Sequence, residues 1–432
     1  MAKVYIKTFG CQMNVYDSAR MRDALLVHGY KETKNAEQAD ILLFNTCHIR
    51  EKASEKLFSE IGRVVRNKKK NALVVVAGCV VQAEGEEILK RCRDIDIAVG
   101  PQNYHELPEL IAKYNRKKGR TIIADFPAES KFDFLPEPQK NTANAFLAIQ
   151  EGCDNFCSYC VVPYTRGCEY SRSSKDILAE ARSLVKNGAK EIMLLGQNVN
   201  CWHGDKGRDL GDLIRDLAKI RDLKRIRYTT SYPSKITKNL ISAHADCKKL
   251  MPYIHIPIQS GSNAVLKAMN RKYTVEEYEK IVASFRAVRP DIAVSSDFIV
   301  GFPGETEQDF NDTLELVKRV GYASSFSFKY SSRPGTPASL MKNQIPEDVK
   351  TKRLMKLQAL LLSQQRAFNE ATVGKEFEVL LTEVGKNPGQ LIGYSPYMQG
   401  TVVKASKKLL GQIVRVKVTG ASATALKAEL IP

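Results

Sequence analysis

The sequence predicts an α/β protein with three successive parts: an N-terminal open parallel sheet, a central partial (β/α)6 barrel and a C-terminal small antiparallel β-barrel. Two observations support this prediction. Short apolar stretches alternate with helix-length stretches over residues 1–126 and 143–370, as in parallel sheets whose strands are joined by crossover helices. Residues 371–432 instead alternate polar and apolar residues between glycine and proline turns, which is typical of antiparallel strands.

The N-terminal part consists of short apolar segments separated by helical patterns. Fully buried parallel strands are nearly continuous apolar runs, and Leu73–Ala77 (LVVVA) has this character. The predicted strands are Lys3–Phe9, Asp40–Asn45, Ala72–Ala77, Ile95–Val99 and Thr121–Ala124, and the predicted helices are Ser18–His28, Ser54–Asn67, Glu86–Cys92 and Tyr104–Tyr114. The following segment, Phe126–Thr142, is rich in proline and charge and is predicted to be an interdomain linker.

The central part repeats the alternation of strand and helix six times. Eight such units close a full barrel, so six indicate a partial barrel with its working residues on the loops after the strands. The predicted strands are Ala145–Gln150, Glu191–Gly196, Arg225–Thr230, Tyr253–Gln259, Ile292–Val300 and Ser324–Tyr330. The predicted helices include Ser174–Lys186, Leu210–Ala218, Val275–Ala287 and a final basic amphipathic helix, Glu347–Glu370.

The C-terminal part is predicted to be a basic β module with strands at Lys375–Glu383, Tyr397–Val403 and Gln412–Thr419. The whole chain carries a net charge of +18, which indicates either a soluble basic surface or a polyanionic partner such as nucleic acid. Phosphate contacts from this part would give affinity that weakens with salt. The candidate phosphate contacts are Lys404, Lys407, Lys408, Arg415 and Lys417.

The apolar runs are too short for a membrane span. The longest, Ala72–Val81, has ten residues, whereas a membrane helix needs about 20. The first residues alternate like a strand and lack the apolar core of a signal peptide. We therefore expect a cytoplasmic protein that does not contact a membrane, in which cysteines serve as metal ligands, catalysts or buried thiols more often than as disulfides.

Three cysteines on the loop after the first barrel strand form a C-x3-C-x2-C motif: Cys153, Cys157 and Cys160. Three thiolates on one tight loop can hold three corners of an iron–sulfur cube and leave one iron open for a small molecule. Structural zinc requires four ligands, usually in paired C-x2-C units, and no second pair is present. Zinc and inert thiols remain the alternatives, and Cys168 is in principle a fourth ligand.

Each of the first three predicted strands is followed closely by one further cysteine. These are Cys11, Cys47 and Cys79. The carboxyl ends of parallel strands meet at one edge of a sheet, which is where open α/β sheets bind ligands. The placement predicts that these thiolates converge on a second cluster that is again one ligand short. The alternative is that they are ordinary buried cysteines.

The loop motif at the start of a partial barrel resembles that of the radical S-adenosylmethionine (SAM) superfamily. Together with the N-terminal cysteines, it makes the whole chain resemble the methylthiotransferase family, and most closely the MiaB-type branch that acts on tRNA. The motifs that carry the resemblance are Gly10–Ser18 (GCQMNVYDS), Asn45–Ala53 (NTCHIREKA) and Val162–Gly167 (VPYTRG).

The resemblance implies two [4Fe–4S] clusters, one auxiliary and one that binds SAM. It implies that one SAM supplies a 5′-deoxyadenosyl radical and another a methyl group. A methylthio group carried at the auxiliary cluster is then inserted at carbon 2 of N6-isopentenyladenosine, next to the anticodon of tRNA. The C-terminal part corresponds to a TRAM RNA-binding module. The implied partners are tRNA, an electron donor such as flavodoxin or ferredoxin, and a supplier of sulfur or clusters; we expect a monomer.

SAM needs contacts beyond the open iron, and we expect them on loops after barrel strands. Gln197 stands where the superfamily usually has a carboxylate, and a Gly-Phe-Pro-Gly stretch is also an ordinary turn, so each assignment has a structural alternative. The expected contacts are Tyr159, Gln197, Asn198, Ser231, Gln259, Asp297 and Gly301.

Two other functions remain open at this point. The same chemistry acts on threonylcarbamoyladenosine in tRNA, or on an aspartate of a ribosomal protein, in other branches of the family, and only the residues beside Cys11 and Cys47 argue against them. A zinc-stabilised RNA-binding protein is the alternative of another class.

Overall fold

The computed structural model describes residues 1–48, 51–139 and 142–432, and within them the side chains of residues 51–54 and 206 are not described. The chain divides into two compact units. Unit 1 comprises Met1–Lys140, Glu151–Asp154 and Cys160–Tyr170, and unit 2 comprises Asn141–Gln150, Asn155–Tyr159 and Ser171–Pro432.

Unit 1 is built on a parallel sheet with the strand order β2-β1-β3-β4-β5-β6. The central strands are buried on both faces because helices pack on each side, which explains their unbroken apolar sequences. The strands are β1 Lys3–Thr8, β2 Lys31–Glu32, β3 Ile41–Asn45, β4 Leu73–Ala77, β5 Ile97–Val99 and β6 Thr121–Ile123; the helices are α1 Gln12–Val27, α2 Glu51–Val65, α3 Cys79–Glu84, α4 Glu87–Arg91, α5 Leu107–Arg116 and α6 Val162–Arg166.

The predicted open parallel sheet is confirmed, but its edge strand β2 and the short helix α3 were not predicted, and its first helix begins earlier than expected. Helix α1 begins at Gln12, six residues before the predicted start, Ser18. Its first turns bury the polar residues Asn14, Asp17 and Ser18, so the apolar periodicity on which the prediction relied is missing there. The segment predicted as a linker contains a short 3-10 helix, Lys131–Phe134; its described residues up to Gln139 belong to unit 1, and Thr142 belongs to unit 2.

Unit 2 begins with a partial barrel of parallel strands. Two three-stranded sheets, β7-β10-β11 and β12-β13-β14, are joined where the Ser231 N–H donates to the His255 carbonyl oxygen (3.2 Å). The barrel strands are β7 Asn144–Ala148, β10 Glu191–Leu195, β11 Arg225–Tyr228, β12 Tyr253–His255, β13 Ala293–Val300 and β14 Ser324–Lys329; the helices are α7 Ser174–Lys186, α8 Leu210–Ala218, α9 Lys238–Asp246, α10 Asn263–Ala268, α11 Val275–Val288, α12 Glu307–Val320 and α13 Glu347–Glu370. Two short strands, β8 Gln150–Glu151 and β9 Tyr170–Ser171, form a separate two-stranded sheet.

The last part of unit 2 is a closed barrel with the strand order β15-β16-β17-β19-β18. Most neighbouring strands are antiparallel, as predicted, but β17 and β19 pair in parallel. The strands are β15 Glu376–Val384, β16 Gln390–Tyr394, β17 Gly400–Lys404, β18 Ile413–Ala421 and β19 Leu426–Leu430. No helix in the described part of the chain is long and apolar enough to cross a lipid bilayer.

A buried ionic group fixes the small barrel to the partial barrel within unit 2. The guanidinium of Arg227 donates to Glu191 Oε2 (2.9 Å) and to the carbonyl oxygens of Ser395 (2.7 Å) and Pro396 (2.8 Å). Its neighbour Arg225 donates to the carbonyl oxygens of Glu378 and Tyr394. Backbone carbonyls of the small barrel thereby satisfy guanidinium groups that would otherwise be buried at high cost.

We expect Arg227→Met to destabilise the full chain by about 3–5 kcal/mol, because it leaves Glu191 and two carbonyls without their donor. Urea denaturation followed by the fluorescence of Trp202, the only tryptophan in the sequence, measures the change. Lys219→Met removes an exposed cation that pairs with Asp216 (2.8 Å) and should cost less than about 1 kcal/mol. Equal effects of the two substitutions would contradict the anchoring role of Arg227.

Candidate functional site

The structure brings Cys11, Cys47 and Cys79 together at one edge of the sheet of unit 1. They follow β1, β3 and β4, which are direct neighbours in the sheet. The thiol of Cys11 forms a hydrogen bond with Cys47, and the charges of Cys11 and Cys79 influence each other. Cys47 and Cys79 are buried, and Cys11 is partly exposed.

Two glycines allow the three strand ends to approach this closely. Gly10 and Gly78 both have positive φ angles, 111° and 98°. A Cβ on Gly10 would lie 2.4 Å from Cys47 Cβ, and one on Gly78 would lie 2.5 Å from the Thr46 carbonyl oxygen. Both the backbone conformation and the lack of space therefore require glycine before Cys11 and before Cys79.

Two asparagines of the cysteine motifs form a network beside the thiols. Asn45 donates from its amide to the carbonyl oxygen of Asn14 (2.8 Å) and to Ser18 Oγ (3.0 Å), and Asn14 donates to Asn45 Oδ1 (3.2 Å). The Cys11 thiol donates to Asn14 Oδ1 (3.1 Å). These asparagines were not among the predicted site residues, although both lie within the cysteine motifs, in GCQMN and NTC.

The thiols differ in how readily they ionise. The hydrogen bond from Cys47 lowers the pKa of Cys11 from its ordinary 9.0 to about 6, with help from Arg166 and against the effect of burial. Burial raises the pKa of Cys79, although Arg166 opposes this. In the absence of a cluster, Cys11 is therefore deprotonated at neutral pH, whereas Cys79 stays a thiol.

A buried ionic network in unit 1 ends at Cys79. Arg166 donates from Nε to Cys79 Sγ (3.3 Å), and its other nitrogens bind Asp17 Oδ2 (2.6 Å) and Glu151. Lys131 binds Glu151 Oε2 (2.7 Å) and the carbonyl oxygen of Pro101 (2.7 Å). All four charged side chains are at most 3% exposed. Two cations balance two carboxylates, so the network can be buried only as a set.

The residues present fit a cluster held by three thiolates, since three cysteines lie at one buried edge beside a cation. In the described ranges, no three His, Cys, Asp or Glu side chains are arranged to hold a single metal ion. A single ion would need all three ligands around one point. An iron–sulfur cube does not, because each thiolate binds a different iron.

The cysteines of the C-x3-C-x2-C loop fall in both units, so each is described in its own. In unit 1, the Cys153 N–H donates to the Gly167 carbonyl oxygen (3.1 Å), and Cys160 Sγ accepts from the Val162 N–H (3.5 Å) at the start of α6. In unit 2, Cys157 Sγ accepts from Arg271 Nη1 (3.5 Å). Cys168 is exposed.

The expected SAM contacts of unit 2 follow the ends of successive barrel strands. Gln197 and Asn198 follow β10, Ser231 follows β11 and Gln259 follows β12. Gln259 has a φ of 76°, and Thr230, beside Ser231, has a φ of 66°. Non-glycine residues with such angles are strained and concentrate at functional sites.

Two of these residues have buried polar groups. The Ser231 hydroxyl is buried and has no hydrogen-bond partner among the described residues. The Asn198 N–H donates to Gln150 Oε1 (3.1 Å), which fixes the loop after β10. The orphaned hydroxyl of Ser231 is the observation in this group that best fits a ligand.

The remaining expected contacts have visible protein neighbours. Asp297 Oδ1 lies 3.4 Å from His255 Nε2. Gly301 has a φ of 71°, and a Cβ there would lie 2.1 Å from Cγ of Lys350 in α13. The packing of α13 therefore explains this glycine without a contact to SAM. Tyr159 packs against an apolar cluster that includes Phe302 and Tyr330. The assignment of these residues to SAM stays a prediction.

The candidate phosphate contacts of the small barrel are all exposed, as an RNA-binding face requires. Arg415 pairs with Glu376 (3.4 Å) on the surface. Arg166, Lys131 and Arg271 were missed as functional candidates by the sequence analysis. Arg166 stood in the quoted motif VPYTRG, but neither Lys131 nor Arg271 carried a sequence signal.

Comparisons with known families divide the chain into three matches. Residues 3–100 match the Uncharacterized protein family UPF0004, residues 147–317 match the Radical SAM superfamily and residues 370–431 match the TRAM domain. A solved radical SAM methyltransferase, TsrM from Kitasatospora setae, shares the fold with a TM-score of 0.61 at 14% identity, over 79% of this chain and 77% of that one.

Full-length relatives are much closer in sequence. The tRNA-2-methylthio-N(6)-dimethylallyladenosine synthases of Rickettsia canadensis (strain McKiel) and Rickettsia bellii (strain RML369-C) are each 54% identical over 99% of this chain and 99% of their own. Identity of this extent, over all three matched regions, shows the family. The chain belongs to the methylthiotransferase family of radical SAM enzymes, in the branch of the tRNA-2-methylthio-N(6)-dimethylallyladenosine synthases.

Proposed function

We propose that this enzyme inserts a methylthio group at carbon 2 of N6-isopentenyladenosine, the same base as N6-dimethylallyladenosine, next to the anticodon of tRNA. The observation that carries the proposal is the convergence of Cys11, Cys47 and Cys79 at one sheet edge. A second group of three thiolates, besides the C-x3-C-x2-C loop, is what sulfur insertion needs beyond radical generation. The names of the relatives supply the substrate.

The family requires SAM and iron–sulfur clusters, and we propose two [4Fe–4S] clusters. Cys153, Cys157 and Cys160 would hold the one that binds SAM, and the N-terminal cysteines would hold the auxiliary one. When bound, these groups supply a carbon radical that abstracts hydrogen and the sulfur that replaces it. The protein would orient SAM with the residues after β10 to β13, and one arginine would contact a ligand sulfur in each group of cysteines.

The small basic barrel would bind the tRNA through phosphate contacts that weaken with salt. We propose that specificity comes from the exposed, unstacked adenine and its apolar tail rather than from these cations. Further partners would be an electron donor such as flavodoxin or ferredoxin and a supplier of sulfur or clusters. We propose a monomer that works in the cytoplasm, where its tRNA substrate is found.

Anaerobic incubation of the reconstituted protein with SAM, a reductant and tRNA carrying N6-isopentenyladenosine should yield the 2-methylthio nucleoside, read by mass spectrometry after digestion. Cys153→Ala should abolish the cleavage of SAM to 5′-deoxyadenosine. Cys11→Ala should keep that cleavage but lose the methylthio product, because only sulfur delivery depends on the N-terminal cysteines.

The controls separate the alternatives. The protein should contain about eight irons and eight sulfides per chain, as expected for two cubes. With two loaded clusters and no product from the isopentenyl substrate, the proposed substrate is wrong, and tRNA with threonylcarbamoyladenosine or a ribosomal protein would be assayed next. Stoichiometric zinc without sulfide would instead indicate the zinc-stabilised RNA-binding protein.

Gly78→Ala should reduce the iron content from about eight to about four per chain, because the new Cβ displaces the backbone between Cys47 and Cys79. Gly85→Ala is the matched control, since Gly85 also has a positive φ (55°) but has open space around it. It should keep all iron. Equal iron in both variants would show that the close approach at Gly78 is not needed for the auxiliary cluster.

The cluster-free, reduced protein should be alkylated at Cys11 by iodoacetamide with half-maximal rate at about pH 6. Because the pKa of Cys11 is lowered, its reactive thiolate is already formed above that pH and is lost only as pH falls through 6. Cys92, whose pKa is raised by burial, should react appreciably only above pH 9. Peptide mass spectrometry measures both, and a Cys11 profile centred near pH 9 would contradict the assignment.

A further inference from the structure

Each group of three cysteines has one arginine that donates a hydrogen bond to one of its sulfurs. In unit 1, Arg166 Nε lies 3.3 Å from Cys79 Sγ. In unit 2, Arg271 Nη1 lies 3.5 Å from Cys157 Sγ. Neither arginine belongs to the cysteine motifs themselves, and neither interaction is needed to close a helix or strand.

Arg166 is held so that it cannot turn away from Cys79. Arg166 is 3% exposed, and its guanidinium is fixed by Asp17 and Glu151 on its other nitrogens. Glu151 is in turn shared with Lys131 (2.7 Å). The network is neutral without the cysteine, so the N–H at Nε and part of the positive charge remain available to the sulfur.

Arg271 is held differently but with the same result. Its Nη2 donates to the carbonyl oxygen of Pro257 (2.8 Å) and its Nε to the hydroxyl of Tyr273 (2.5 Å). The guanidinium lies over the ring of Tyr232 at 4.4 Å. No carboxylate among the described residues forms an ion pair with it, so its full positive charge faces Cys157 and the surrounding rings.

We propose that Arg166 and Arg271 are positioning residues, one for each cluster, which set the reduction potentials of the two clusters separately by donating to a ligand sulfur. This inference rests on the proposed function, because it requires two clusters. The potential of an iron–sulfur cluster depends on net charge and on hydrogen bonds to its sulfurs. Reduction adds a negative charge, which a nearby cation and an N–H donor stabilise, so loss of either arginine lowers the potential of its own cluster.

The two arginines differ in their surroundings. Arg166 lies within a charge-balanced network, whereas Arg271 has no carboxylate partner among the described residues. Substitution of either arginine by glutamine nevertheless removes one positive charge and alters one contact to a ligand sulfur, so we expect shifts of similar size in the two clusters.

The experiment is a potentiometric titration followed by electron paramagnetic resonance in full-length chains that keep one cluster. The chain with Cys153, Cys157 and Cys160 replaced by alanine reports the auxiliary cluster, and the chain with Cys11, Cys47 and Cys79 replaced reports the SAM cluster. In the first, Arg166→Gln should change the ratio of oxidised to reduced cluster at fixed potential by about tenfold toward oxidised, which is about 59 mV for one electron, and Arg271→Gln should change nothing. In the second, the two substitutions should exchange these effects.

A charge-balanced double variant separates the effect on the cluster from damage to the fold by an unpaired buried carboxylate. Arg166→Gln combined with Glu151→Gln removes one charge of each sign, and Glu151→Gln alone keeps the donor to Cys79. The double variant should lower the midpoint of the auxiliary cluster, and Glu151→Gln alone should not. A role in stability alone would reduce iron content and leave the midpoint of the loaded fraction unchanged.

Loaded clusters whose midpoints are unchanged by both arginine substitutions would overturn the inference and leave the proposed function intact. Shifts of both clusters by either substitution would overturn the separate assignment. A native chain that holds fewer than two clusters would instead reject the proposed function on which the inference rests.

Discussion

A thiolate buried inside a protein needs nearby donors or positive charges, and the polar interior of unit 1 is arranged around this need. Desolvation opposes an ionised group unless donors or opposite charges surround it. Cys79 sits beside a guanidinium that is itself held by two carboxylates, and one of these carboxylates is shared with a buried lysine. Of the polar residues that interrupt the apolar pattern of α1, Asn14 gives Cys11 a backbone hydrogen bond and Asp17 holds Arg166 in place. The core of unit 1 is therefore built around its cysteines as much as around its apolar residues.

The parallel sheet explains why cysteines so far apart in sequence share one location. Strands β1, β3 and β4 are parallel neighbours in the sheet, so the first residues after each strand meet at the same edge. The strands of the partial barrel in unit 2 are also parallel, so the residues after them lie at one end of the barrel. Thr230 and Gln259, which follow two of these strands, have strained backbone conformations. In both units the fold supplies position, and short loops after strands supply the chemistry.

Much of this arrangement could be predicted from the sequence because it depends on a regular alternation of strands and helices. Helices α7, α8 and α13 have the predicted boundaries, and the convergence of the three N-terminal cysteines follows from the position of each one after a parallel strand. Strands β16 and β19 were missed because short strands in a small barrel carry few apolar residues. Lys131 and Arg271 were missed because a buried, paired cation is read as a surface charge until its partners, distant in sequence, are known.

Unit 1 is formed by three separate stretches of the chain, and this limits where the enzyme can be divided into fragments. Glu151 and Arg166 arrive from beyond the proline-rich segment, yet they neutralise Lys131 and Asp17 and contact Cys79. A fragment cut within that segment would leave an internal ammonium and carboxylate without counter-ions. Chimaeras that transplant the N-terminal sheet into another scaffold must therefore carry residues 151–170 along with it, so that every buried charge keeps its counter-ion.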